Sequence, residues 1–104
     1  MYLIRRIYNT KPGEARNVAT MVQKQAKAYR DEGQRSPFRV SYNGGTLPGE
    51  NNIVILDWTD DALMSPSREG HTLPQAALDL GAEIRPFIEH QRIEFLEMLP
   101  DLEG

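Results

Sequence analysis

Between Pro37 and Thr59 the chain holds two β-type runs, Phe38–Tyr42 and Ile53–Trp58, separated by a ten-residue stretch rich in Gly, Asn and Pro. β-branched and aromatic residues favour extended backbone, and the Gly/Asn/Pro cluster favours reversal, so the segment predicts a β-hairpin with a long tip. Patterns of helical period stand before and after it. Each helix must bury one apolar stripe, so a hairpin set between two helices leaves few topologies open.

Tyr2–Thr10 reads as a first strand with imperfect alternation. Tyr2, Ile4, Arg6 and Tyr8 share one face, and Leu3, Arg5, Ile7 and Asn9 the other. Arg5 and Arg6 therefore point to opposite sides. At least one of them must meet water, a carboxylate or a ligand, because an unpaired buried guanidinium is costly. In the helix that follows, Thr10 is the expected N-cap, Pro12 lies in the first turn and Gly33 follows the last periodic residues. Ala15, Val18, Ala19, Val22, Ala26 and Tyr29 trace its apolar face, with Arg16, Gln23, Lys24, Lys27 and Arg30 opposite.

After the hairpin, residues 60–71 show no period and read as a loop. Thr72 and Gln75 match a capping box, and Ala76, Ala77, Leu80 and Ile84 continue at helical spacing. Pro86 should end or kink that helix. Arg92–Leu99 reads as a last strand rather than more helix, since Pro86 breaks its approach and Pro100 stops it. The order strand, helix, strand, strand, helix, strand fits a ferredoxin-like α+β fold (βαββαβ), a four-stranded antiparallel sheet with both helices on one face. The other face is bare, and a second copy of the chain is the simplest cover.

The 104 residues suffice for one domain, 1–104. Without cysteine there are no disulfides, thiolate metal sites or cysteine nucleophiles. The net charge of −3 is spread along the chain. The short basic row Lys24, Lys27, Arg30 adjoins Asp31 and Glu32, which reads as a solvated helix face, so no nucleic-acid partner is expected. No run approaches the roughly 18 apolar residues of a membrane span, and the first residues place arginines where a signal peptide needs its apolar core. No membrane partner is expected, and a cytoplasmic location is.

Leu3-Ile4-Arg5-Arg6-Ile7-Tyr8 running into Lys11-Pro12-Gly13, the hairpin from Arg39-Val40-Ser41-Tyr42 through Pro48-Gly49, and a third strand ending Leu56-Asp57-Trp58 together resemble the dimeric α/β-barrel superfamily. Within it the chain is most similar to small NIPSNAP-like proteins. The resemblance implies a homodimer with a cavity between each sheet and its flanking helices or loops. Activities in the superfamily range from cofactor-free monooxygenation and lactone isomerisation to haem breakdown.

Several residues invite a chemical reading. The haem-degrading branch uses an Asn, a Trp and a His, for which the resemblance offers Asn9, Trp58 and His71. Against this, His71 stands beside Gly70 ahead of the helix rather than on a rigid element, and the surrounding motif is absent. A strand-end Asn, a core-edge Trp and a loop His outweigh it. His90 would need a carboxylate to act as a base, with Glu94 in reach; an exposed helix-end histidine is the simpler reading.

Arg5, Arg6, Tyr8, Arg39, Tyr42 and Asp57 fall on neighbouring strands. An Arg–Tyr pair facing a cavity would hold the carboxylate or phenolate of a small acid, whereas Arg–Asp or Arg–Glu pairs across the sheet are the purely structural alternative. The Gly-rich tip lacks the Gly-Lys-Ser/Thr of a phosphate loop. It is expected to border the cavity or, over 43–51, to contact a neighbouring subunit beyond the dimer. No serine has a base at a readable spacing, and the His and Asp residues have no metal-ligand spacing.

The leading expectation is a homodimeric, NIPSNAP-like protein that binds a small apolar or aromatic ligand without a tightly bound cofactor. Arg6, Tyr8, Asn9, Arg39, Trp58 and His71 are the candidate ligand residues. The alternatives are a cofactor-independent monooxygenase or isomerase acting on a small aromatic or acidic substrate, a haem-degrading monooxygenase, and a dimerisation module with a filled core.

Overall fold

The computed structural model describes residues 1–31, 37–61 and 75–100, apart from the side chains of Tyr29, Ala76 and Ala77. Strand β1 (Tyr2–Thr10), helix α1 (Ala15–Asp31), strands β2 (Phe38–Asn43) and β3 (Ile53–Asp60), helix α2 (Gln75–Ile84) and strand β4 (Ile88–Glu97) follow in that order. A 3-10 turn at Arg85–Phe87 leads into β4. The sheet order is β2-β3-β1-β4 with all neighbours antiparallel. This is the expected ferredoxin-like arrangement, an open sheet with β1 and β3 central. Among the described residues no helix is long and apolar enough to cross a membrane.

Alternation along the central strands sets the core. Ile4, Tyr8, Val54, Leu56 and Trp58 point to one face and pack against Ala15, Val18, Ala19, Val22 and Ala26 of α1 and Ile84 of α2. These residues are buried, whereas Arg16, Gln23, Lys24, Lys27 and Arg30 of α1 are exposed. The three-and-four spacing of α1 thus seals one stripe and leaves its basic row in solvent. The Arg30 guanidinium lies 5.3 Å from the centre of the Phe38 ring, so the stem of the row covers the edge of β2.

The start of α1 differs from expectation. Thr10 does not cap the helix, which begins at Ala15 with Glu14 before it. The Val18 N–H donates to the Glu14 carbonyl at 2.9 Å, and the Asn17 amide donates to the Glu14 carboxylate at 3.2 Å. Thr10 instead ends β1, its N–H donating to the Asn52 carbonyl at 2.8 Å and its hydroxyl to the Lys11 carbonyl at 3.0 Å. Pro12 therefore sits in a turn, not in the helix, and Gly13 takes a φ of +81° there. The fixed φ of proline suits either place, and the end of the hairpin, 42 residues away, decides between them.

The hairpin forms over the expected runs. Its tip is compact: the Asn43 amide donates to the Leu47 carbonyl at 3.0 Å, and the Gly45 N–H donates to Asn43 Oδ1 at 2.9 Å. Asn52, at φ +56°, receives the Gly13 N–H on its side chain at 3.2 Å, tying the tip to the β1–α1 connection. Pro86 does end the α-helical geometry of α2, and the chain re-enters the sheet at Ile88, four residues before the expected Arg92. The last segment is a strand, as its alternation implied. The expected loop at 60–71 beyond Asp61, the caps at Thr72 and Gly33, and Ser65 and Ser67 lie outside the described residues.

Candidate functional site

Helix α1 lies against β2 and β3, and α2 packs on α1, with residues of α2, β1 and β4 bordering an open space. The space beneath α2 is a cavity of about 490 Å³. Arg6 and Tyr8 of β1 form its floor, Gln25 of α1 closes one side, and Leu78, Gly81 and Ile84 of α2 form the roof. Ile88, Glu89, His90 and Gln91 of β4 complete the opposite wall, with Arg85 beside them.

Strand parity puts Arg6 here. Its register partners are Leu56 on β3 and Ile93 on β4, so the guanidinium stem rises between two aliphatic side chains. Its Nε is buried and without a hydrogen-bond acceptor, and among the described residues Arg6 forms no ion pair. A charged group that has lost water on one edge and gained no acceptor is a cost the fold carries. Arg5, one residue earlier, points to the open face and pairs with Glu94 at 3.2 Å.

Two backbone features shape the cavity. At the β1–β4 register, Thr10 faces Ile88 and Asn9 faces His90, which leaves Glu89 as an extra, bulged residue. A bulge turns side chains out of their regular alternation, and here Glu89 is the residue it displaces at the cavity margin, whereas His90, in register with Asn9, keeps the parity of Arg92 and Glu94. Gly81 lies inside α2, where glycine costs about 1 kcal/mol against alanine. A Cβ at that position would come within 3.1 Å of Gln25 Nε2, so the bare backbone sets how closely the two helices approach.

The structure brings two of the expected site residues together and separates the rest. Arg6 and Tyr8 share the cavity floor, Tyr8 with its side chain buried. Asn9 and Arg39 occupy the opposite face of the sheet. The Asn9 amide bonds the Glu50 carboxylate, and Arg39 Nε donates to Asp57 at 2.9 Å. Trp58 is buried in the core on the helix side, across from Ile4. Asn9 and Trp58 therefore lie on different faces, because their positions on the paired strands β1 and β3 differ in parity. His71 lies outside the described residues.

The Glu94 expected beside His90 is engaged by Arg5, and His90 sits in β4 rather than at a helix end. Gln25, Arg85, Ile88 and Gln91 were not legible as site residues. Their places depend on how α2 sits over the sheet. Gly81 alone carried a local signal, a glycine inside a helical period.

No protein-family model matches the chain, and no curated protein does. Solved structures do. An uncharacterised NIPSNAP domain protein from Burkholderia xenovorans is 25% identical with a TM-score of 0.63, the match covering 97% of this chain and all of that one. A NIPSNAP family protein from Agrobacterium tumefaciens has a TM-score of 0.66 at 18% identity, covering 97% and 93% of the two chains. In fold, the chain is NIPSNAP-like. An antibiotic biosynthesis monooxygenase-like protein from Chloroflexus aurantiacus shares the same ferredoxin-like fold at 13% identity and a TM-score of 0.62, over 99% and 98% of the chains. The NIPSNAP-like frame thus accounts for the sheet and its two helices.

Proposed function

We propose that this NIPSNAP-like chain is a homodimeric protein that binds a small molecule in the cavity beneath α2. The observation that carries the reading is the space of about 490 Å³ bordered by α2, β1 and β4. That volume lies within the range of small-ligand sites, and the lining joins an aliphatic part, Leu78, Ile84 and Ile88, to polar groups able to orient a ligand. Native mass spectrometry of the protein as purified tests it. The expected species is a dimer of the 11.8 kDa chain carrying a small molecule that is released on denaturation. A ligand-free species whose melting temperature no small acid, amine or neutral aromatic raises would sink the reading.

The homodimer is supported by the open face. Arg39, Asp57, Arg5 and Glu94 stand in register across all four strands, alternating positive and negative. A two-fold axis running along the strands reverses that order. It sets Arg39 against the partner subunit's Glu94 and Asp57 against the partner subunit's Arg5, so the row is complementary to itself. Leu3, Ile53, Ile55 and the exposed Leu96 flank the row on the same face and supply apolar area.

Glu89 favours a second reading of the same cavity, since its carboxylate is able to move a proton beside a bound acid. That reading is a cofactor-independent monooxygenase or isomerase. Conversion of an added acid that stops in Glu89→Gln while binding persists would select it over a carrier.

A further inference from the structure

We propose that the ligand of this cavity is an organic monocarboxylate, held by Arg6 through its carboxylate and by Leu78, Ile84 and Ile88 through an apolar body. The inference rests on the cavity reading above and names the class of molecule it takes. Three observations converge on it. Arg6 reaches the cavity floor between Leu56 and Ile93 with its Nε buried and unpartnered, and among the described residues no carboxylate pairs with it. An anion at the cavity end of the guanidinium offsets the desolvation that the fold has imposed.

The charge count agrees. The lining holds two guanidinium groups, Arg6 and Arg85, against one carboxylate, Glu89. The cavity is thus positive by one charge inside a chain whose net charge is −3. One excess positive charge calls for a monoanion rather than a phosphate dianion, and the planar fork of arginine matches the two coplanar oxygens of a carboxylate. Finally, Leu78, Ile84 and Ile88 give part of the lining an aliphatic surface, which an inorganic anion would leave uncovered.

Two probes of nearly equal shape separate charge from size, 2-naphthoate and its neutral analogue 2-naphthamide. Titration calorimetry on the wild-type protein is expected to give 2-naphthoate at least about tenfold the affinity of the amide, the scale of one charge-assisted hydrogen bond. In Arg6→Gln the preference should vanish while the amide binds as before, with circular dichroism confirming the fold. If that variant does not fold, Arg6→Lys replaces it. Lysine keeps the charge and loses the fork, so the preference should shrink without disappearing.

Equal affinities in the wild type, or a preference that survives Arg6→Gln, would overturn the carboxylate assignment and leave the cavity reading standing. Binding of neither probe would overturn the carboxylate assignment, and the cavity reading falls with it if no small acid, amine or neutral aromatic raises the melting temperature either.

Discussion

Arg5 and Arg6 are neighbours with the same side chain and opposite fates. One pairs with Glu94 across the open face at 3.2 Å, and the other ends on the cavity floor with a buried, unpartnered Nε. Electrostatics alone required that such a pair split between compensated and solvated or ligand-bound surroundings. Which arginine took which side was decided by the face that α1 and α2 cover. Gly81 shows the same dependence on context. Alanine there gains about 1 kcal/mol of helix propensity and comes within 3.1 Å of Gln25 Nε2, the end of a flexible side chain that has to shift to admit it. Gly81→Ala is therefore expected to keep or raise the melting temperature by a few degrees while weakening ligand binding. A drop in melting temperature would mean that Gln25 is fixed in place.

At the scale of elements, the hairpin and the apolar stripe of α1 were legible because both rest on short-range periodicity. The ends of elements were not. Thr10 carries the side chain of an N-cap, yet its hydroxyl and N–H serve the junction between β1 and the hairpin. Competition between a local cap and a long-range partner has no trace in neighbouring residues. The hairpin tip depends on Asn43, whose side chain accepts from the Gly45 N–H and donates to the Leu47 carbonyl. Asn43→Ala should cost about 1 kcal/mol in denaturant unfolding. It should also speed amide hydrogen exchange at Gly45, with the β2–β3 pairing unaffected. Exchange that spreads to Ile53 and Val54 would show instead that the tip holds the strand register.

For the whole molecule, the charge row on the open face makes a specific demand on assembly. Arg39 is the exposed member, with 75% of its side chain accessible against 16% for Asp57. Charge reversal at Arg39→Glu or at Glu94→Arg should each weaken the homodimer in sedimentation experiments, since the two-fold repeats every repulsion. Mixing the two variants restores both cross-chain pairs, so a heterodimer is expected in native mass spectra. Variants that each dimerise like the wild type would rule out this register, and a monomeric wild type would rule out the interface. Either result bears on the sheet face and leaves the cavity untouched, because the two lie on opposite sides of β1.

Periodicity and composition by themselves determined the order of elements, the buried stripe of α1, the ferredoxin-like class and the absence of thiol chemistry, because those follow from spacing along the chain. The tertiary structure decided which of Arg6, Tyr8, Asn9, Arg39 and Trp58 share a space. It placed Arg6 and Tyr8 in one cavity, Asn9 and Arg39 across the sheet, and Trp58 in the core. A strand offers its two faces to different surroundings at every step. Only the docking of the helices assigns one face to the interior and leaves room beneath α2.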